Sequence, residues 1–365
     1  MAHLTKLKKY DIKDSNIELL GSDLEKRVRE HAGDTEEAWN DAGKETGLEV
    51  WRIEKFKVVR RPATGEFYDG DSYIVLYTYK TTPDAETLSY DLHFWLGEDT
   101  SQDEAGTAAY KTVELDDHLH GVPVQYREVQ GNESERFLSY FPQFVTIHGG
   151  IETGFRHVSD PVPLDIRILY HITHTANNNL IVRQVPAEAK SLIQGDVYVF
   201  DKGEKVLQLN TKESVGKERF KAAEFVRSII DGRGGQSELM VFDEGSGAGL
   251  FLAEFGEGVT LRPAPPKETT PLSLFRISDE TGKPSFTQVA SASLDALSPQ
   301  DAFLFDACSQ LFVWIGKNAS LAERRLAPQY AQRYLYNKEA SNFAVPIVTM
   351  RQGFETPGFL QAVQA

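Results

Sequence analysis

Three aspartates occupy the same place in three similar stretches. These are Gly70-Asp71-Ser72-Tyr73-Ile74-Val75-Leu76, Gly195-Asp196-Val197-Tyr198-Val199-Phe200 and Gln300-Asp301-Ala302-Phe303-Leu304-Phe305. Each Asp opens a run rich in β-branched and aromatic residues, the content of a buried strand. A glutamate follows each one within a helical pattern: Glu104, Glu218 and Glu323, lying 33, 22 and 22 residues further on. Calcium takes six to eight hard oxygens at flexible geometry, from carboxylates and backbone carbonyls. A turn carbonyl, an Asp at a strand start and a Glu on a helix crossing nearby would supply much of such a shell. Any one pair, taken alone, reads more readily as a turn beside a solvated helix residue. A threefold recurrence favours a cation cage.

Other chemistries find little support. No Gly-rich phosphate loop ends in Lys-Ser or Lys-Thr, and no Gly-x-Ser-x-Gly elbow is present. Gly245-Ser246-Gly247-Ala248-Gly249 lacks the Lys a phosphate cradle needs and reads as a flexible loop. His118 with His120, and His171 with His174, come without a third transition-metal ligand at motif spacing. An enzyme is therefore not expected. The 54 acidic and 39 basic residues give a net charge of −15, which opposes nucleic-acid binding and general attraction to anionic lipid. Cys308 stands alone, so no internal disulfide can form, and it reads as a small buried residue. No run approaches the 18 apolar residues of a membrane span, and the first residues carry charge instead of a signal-peptide core. A cytoplasmic protein that is not embedded in membrane is expected.

The elements that must position these residues repeat as well. The aspartates are 125 and 105 residues apart, the size of a small domain. Upstream of them lie Val50-Trp51-Arg52-Ile53, Leu169-Tyr170-His171-Ile172 and Leu274-Phe275-Arg276-Ile277. The Ile precedes the Asp by 18, 24 and 24 residues. Downstream come Trp95-Leu96-Gly97 and Trp314-Ile315-Gly316, with Gln208-Leu209-Asn210 as a degenerate middle copy. The second helix shows Phe220, Ala223, Val226 and Ile230 as a stripe. The third shows Leu326, Tyr330 and Tyr334 beside Ala327, Ala331 and Leu335, with Pro328 expected to kink it. Each copy reads as strands, one long helix and a closing strand: an α/β (α+β) unit with a mixed sheet against helices. Asp160-Pro161-Val162-Pro163 and Arg262-Pro263-Ala264-Pro265-Pro266-Lys267 read as joints. The expected division is an extension over 1–45 and units over 46–158, 162–262 and 271–362. The extension contains a capping box at Ser22 and Glu25 and a short helix near Trp39.

Leu92-His93-Phe94-Trp95-Leu96-Gly97, Ser101-Gln102-Asp103-Glu104, Leu115-Asp116-Asp117 and Arg127-Glu128-Val129-Gln130-Gly131 resemble the first repeat of the gelsolin superfamily, in order, over roughly residues 46–158. Gly195-Asp196, Lys217-Glu218-Arg219, Phe312-Val313-Trp314 and Glu323-Arg324-Arg325 extend the resemblance through two further repeats. Three repeats place it with the severin and fragmin type. The resemblance implies a mixed sheet sandwiched between a long and a short helix in each unit, and Ca2+ as the bound ion. It implies one site from the Gly70 carbonyl, Asp71, Glu104 and the Ile151 carbonyl. A second, completed by an actin carboxylate, would use Asp116 with the carbonyls of Gly121 and Pro123. The second unit would use Gly195, Asp196 and Glu218, and the third Gln300, Asp301 and Glu323, with Gln300 contributing only its carbonyl.

The same resemblance implies calcium-dependent severing and barbed-end capping of actin filaments, with monomer binding by the first unit; a capper that does not sever is the alternative. It likewise implies actin, monomer and filament, as the partner, a monomeric free protein, and a cytoskeletal location. Tyr110 on the first long helix and Phe155 stand where the family carries apolar actin contacts, and Lys217, Arg219 and Lys221 where it holds the filament side. The family's phosphoinositide-binding stretches are basic. Here they read Pro142-Gln143-Phe144-Val145-Thr146-Ile147-His148 and His174-Thr175-Ala176-Asn177-Asn178-Asn179, which puts phosphoinositide binding in doubt. Lys55, Lys57, Arg60 and Arg61 are a substitute basic patch.

Overall fold

The computed structural model describes residues 36–150, 166–174, 179–264, 272–278, 285–337 and 345–364. Ile151, Phe155 and the Ser22–Glu25 capping box lie outside them. The first unit contains β1 (Gly47–Glu54), β2 (Lys57–Arg61), β3 (Glu66–Tyr68), β4 (Ser72–Tyr79), β5 (Ser89–Leu96), helix α1 (Gln102–His118), β6 (Val124–Val129), the short α2 (Glu135–Leu138) and β7 (Gln143–Ile147). The second contains β8 (Ile168–His174), β9 (Leu180–Val185), β10 (Val197–Asp201), β11 (Lys205–Asn210), α3 (Gly216–Gly232), β12 (Glu238–Asp243) and α4 (Ala248–Leu252). The third contains β13 (Ser273–Ser278), β14 (Ser285–Val289), β15 (Ala302–Asp306), β16 (Leu311–Ile315), α5 (Leu321–Asn337), β17 (Ile347–Arg351) and α6 (Pro357–Gln364).

One strand order serves all three units: β2-β1-β4-β5-β6, β9-β8-β10-β11-β12 and β14-β13-β15-β16-β17. The first three pairings of each are antiparallel and the last is parallel. A parallel pair cannot be closed by a hairpin, so each needs a crossover, and α1, α3 and α5 provide it. These three helices have 17 residues each, with Glu104, Glu218 and Glu323 as the third residue in every case.

Strand side chains alternate between faces, so each sheet builds a core on both sides. In the first unit Ile74, Leu76 and Leu92 pack against Ala108 and Leu115 of α1, while Tyr73, Val75 and Trp95 pack against Phe137 and Leu138 of α2. The α1-side core reaches back into the expected extension. Trp39, in a 3-10 turn at Glu37–Trp39, is fully buried, meets Trp51 edge-on at 5.2 Å, and donates its indole N–H to Glu114 at 2.9 Å.

Three expectations change. The structure holds two sheets among the described residues, not three separate ones: β17 pairs with β6 to join the first and third units into ten strands, and β9 pairs with β7, which pairs with β3, to make seven. Open strand edges present unpaired N–H and C=O groups, and these joints satisfy them. On α3 the buried residues are Glu218, Ala222, Phe225 and Val226, with Ile230 packed against the same core, whereas Phe220 is 63% exposed; Val226 and Ile230 of the expected stripe face inward and Phe220 does not. The register also corrects the middle motif. Ser72 pairs with Leu96, Val197 with Asn210 and Ala302 with Ile315, so Leu209-Asn210-Thr211 matches the two Trp-x-Gly sequences. Helix α5 continues past Pro328, with Ala327 and Ala331 both fully buried.

That register explains the glycines. The N–H groups of Gly97, Thr211 and Gly316 donate to the carbonyls of Asp71, Asp196 and Asp301 at 3.1, 3.3 and 3.0 Å. The backbone passes so close that a Cβ on Gly97 would lie 2.1 Å from the Asp69 carbonyl, and one on Gly316 2.4 Å from that of Pro299. Gly97→Ala is expected to cost on the order of 3 kcal/mol through this overlap. Gly106→Ala, at an exposed position of α1 with open space around it, should instead stabilise by up to about 1 kcal/mol. Melting temperatures that move in opposite directions for the two variants check this.

Candidate functional site

In the first unit the turn Asp69-Gly70-Asp71 is stitched to the segment after β7. The Asp69 N–H donates to Ile147 O at 3.0 Å and the Gly70 N–H to Gly149 O at 2.8 Å. Asp71 is 1% exposed, and a Cβ on Gly150 would come within 2.9 Å of its Oδ1. Glu104 is buried at the start of α1, where its N–H donates to the Ser101 hydroxyl of the N-cap and its Oε2 accepts from that hydroxyl, each at 3.2 Å. Gly70, Glu104, Gly149 and Gly150 line one recess. Gly70 and Glu104 thus share one recess, and the buried Asp71 carboxylate lies behind its wall against Gly150, the residue that precedes Ile151.

The recurrent glutamates are not solvated helix residues. Glu218 Oε2 accepts the Val215 N–H at 2.9 Å and Glu323 Oε2 accepts the Ser320 N–H at 2.8 Å; both residues are buried. One carboxylate oxygen closes the helix end, where free N–H groups and the helix dipole favour negative charge. In the second unit the other oxygen, Glu218 Oε1, meets His174 Nδ1 at 2.7 Å. Gly195 is held by its N–H to Thr211 Oγ1 at 3.2 Å. Gln300 is exposed in the third unit, its N–H bonded to Ser298 Oγ at 3.2 Å.

Each aspartate has a basic partner from the first strand of its own unit. Arg52 forms a close, buried ion pair with Asp71. His171 Nε2 lies 2.8 Å from Asp196 Oδ2. Arg276 Nη2 donates to Asp301 Oδ1 at 3.0 Å. Burial works against the Asp301 carboxylate, but hydrogen bonds from Arg276, Ser278 and Ser298 and the charge of Arg276 hold its pKa below the ordinary value. These partners occupy one structural position, since Arg52 pairs with Tyr73, His171 with Tyr198 and Arg276 with Phe303 across the sheet. Their signal was present in sequence, as a basic residue between apolar ones in each upstream motif, but alternation alone assigns no partner to it.

The second expected site follows α1. Asp116 is buried, Gly121 donates its N–H to Asp116 O at 2.8 Å, and Pro123 is buried at the start of β6. His120 and Gly121 both adopt left-handed backbone, with φ of 61° and 66°. Arg351, at the end of β17, lies directly over this turn: a Cβ on Gly121 would fall 2.7 Å from its guanidinium. Among the expected partner contacts, Tyr110 is 36% exposed on α1, and Lys217 is exposed on α3. Lys221 pairs with Glu224 at 2.6 Å. The Arg219 guanidinium is occupied within its own unit, donating to Ser214 Oγ, Ser214 O and Thr211 O at 2.9, 3.0 and 3.2 Å. Exposed Phe220 beside Lys217 and Lys221 was missed, because its apolar character made it read as core.

Three copies of one sheet-and-crossover unit, each with a strand-opening Asp and a buried Glu at the third position of its crossover helix, define a tandem-repeat protein with acidic residues built into the repeat. The gelsolin repeat model matches residues 56–138 and 287–360. Gelsolin-like protein 1 of Lumbricus terrestris is 42% identical over 323 residues, covering 86% of each chain. Gelsolin-like protein 2 of the same worm is 36% identical over the whole of both chains, and severin of Echinococcus granulosus is 37% identical over 96% of this chain and 97% of its own. The chain belongs to the gelsolin repeat family. The middle unit, which the repeat model does not match, shares the strand order and register of the other two.

Replacing Arg52 would leave Asp71 buried beside no guanidinium. Removing one partner of a buried ion pair costs about 3–5 kcal/mol. Arg52→Met should therefore lower the melting temperature clearly, and Arg52→Met combined with Asp71→Asn should recover part of the loss. Calorimetric melting of both variants reads this directly.

Proposed function

We propose that the protein severs actin filaments and caps their barbed ends in a calcium-dependent way, with monomer binding by the first repeat. The observation that supports this reading is that Gly70 and Glu104 line one recess at the start of α1, the helix that exposes Tyr110, with the Asp71 carboxylate just behind Gly150 in the recess wall. Calcium held there would take the place of Arg52 at Asp71 and fix the first turn of α1 against β4. The matching sets are Gly195, Asp196 and Glu218, where calcium would compete with His171 and His174, and Gln300, Asp301 and Glu323, where it would compete with Arg276. Ile151 would complete the first set by its carbonyl. A further ion would be held by Asp116, Gly121 and Pro123, once Arg351 leaves that turn.

Tyr110 and Phe155 are the proposed apolar actin contacts, and Lys217 and Lys221 the basic contacts to the filament side. One observation favours capping without severing: Arg219, the third basic residue of that set, is occupied by Ser214 and Thr211. Microscopy of single actin filaments separates the readings. Internal breaks that require calcium establish severing, arrest of growth without breaks leaves capping, and filaments unaffected at any calcium level overturn both.

Joint replacement of Tyr110 and Phe155 by Ala should abolish capping while leaving calcium binding intact. Truncating a buried interface aromatic costs about 2–4 kcal/mol, and two such losses amount to roughly a thousandfold in affinity or more. The melting temperature should stay close to that of the parent protein, whereas a large fall would mark the two rings as core.

A further inference from the structure

At the rim of the first-repeat recess, two carboxylates and an imidazole converge from three separate segments. Asp69 lies in the turn before β4, Asp99 in the loop between β5 and α1, and His148 just after β7. His148 Nδ1 is 2.9 Å from Asp69 Oδ2 and 3.9 Å from Asp99 Oδ2, and the ligand atoms of all three lie within 4.8 Å of one another. All three line the same recess. We propose that Asp69, Asp99 and His148 form a site for a transition-type dication such as Zn2+, separate from the oxygen set of Gly70, Asp71 and Glu104.

The chemistry of the donors sets this site apart from a calcium cage. Calcium asks for six to eight oxygens, whereas zinc takes four ligands and accepts imidazole nitrogen together with carboxylate oxygen. A tetrahedral ion with bonds of about 2.0–2.1 Å places neighbouring ligands roughly 3.3 Å apart. The two measured separations, 2.9 and 3.9 Å, bracket that value. Asp99 and His148 are exposed, so their side chains can rotate to close the difference, and water can take the fourth position. The two carboxylates balance the charge of the ion.

Asp69 supplies the fixed corner. It is buried, and it holds both other ligand-bearing segments: its N–H donates to Ile147 O at 3.0 Å, its carbonyl accepts the Asp99 N–H at 2.9 Å, and its Oδ1 accepts the Gly149 N–H at 2.8 Å. Oδ2 faces His148. An ion replacing the proton between Asp69 and His148 would leave this backbone stitching untouched. The proposal does not depend on actin or on calcium being the ligand of the neighbouring carboxylates.

The test is calorimetric titration of zinc chloride into the full-length, metal-stripped protein in saturating calcium chloride. One zinc per chain is expected to bind through this trio, and His148→Ala and Asp99→Asn should each weaken it by about tenfold or more, since loss even of a ligand's supporting partner costs 10–100-fold. Both positions are exposed, so unchanged thermal melts of the metal-free variants certify their folds. Absence of zinc binding overturns the proposal. So does zinc bound equally by the parent and both variants, which would put it on others of the nine histidines. Zinc that calcium displaces in simple competition would show one shared site and overturn it as well.

Discussion

A carboxylate that must be buried governs this structure. Asp71 and Asp301 are almost wholly removed from water at the start of a central strand. An isolated carboxylate there would be prohibitively costly, so it requires a positive partner. The fold supplies one from its own first strand, Arg52 or Arg276, and the backbone around the Asp is closed from the other side by the N–H of the residue after the following strand. The glycines at 97 and 316 exist because that closure brings two backbones together. A buried charge with a replaceable partner is also what a cation site needs before its ion arrives: paired well enough to fold, and anionic enough to exchange an arginine for a metal.

The middle repeat shows how this arrangement drifts. Thr211 stands where the others have Gly, and its hydroxyl donates to the Asp196 carbonyl at 2.6 Å while accepting the Gly195 N–H. A histidine replaces the arginine, Asp196 is more exposed than its counterparts, and a second histidine meets Glu218. The strand order survives because it rests on register and on a helix long enough to cross between parallel strands, neither of which needs the Trp-x-Gly signature.

Edge pairing links the units. Ile347, Val348 and Thr349 pair with Arg127, Tyr126 and Gln125, and the same strand ends in Arg351 over the turn at Gly121. Backbone hydrogen bonds on an open edge are specific in direction, and the joints are backed by shared apolar cores: Val124 and Tyr126 pack with Trp314 and Val348, and Ile181 with Phe144. The guanidinium over that turn sets a side chain of the third repeat against the helix end of the first.

Spacing alone disclosed the threefold repeat, the strand-opening aspartates and the long helix after each that carries a Glu, because strand and helix periods are local and recur along the chain. It also put Asp71 and Glu104 in one neighbourhood, whereas the outward place of Tyr110 came from the family resemblance. Local patterns could not tell core from surface at Phe220, where a one-residue shift around the helix decides the face. Nor could they align Thr211 with Gly97, since that match exists only in the register across the sheet. The basic partners of the aspartates, the joined sheets, Arg351 over Gly121, and the meeting of Asp69 with Asp99 and His148 are contacts between residues 19 to more than 200 positions apart. Such contacts are decided by which strand edges meet and which loops a turn can stitch, and only the tertiary structure carries that choice.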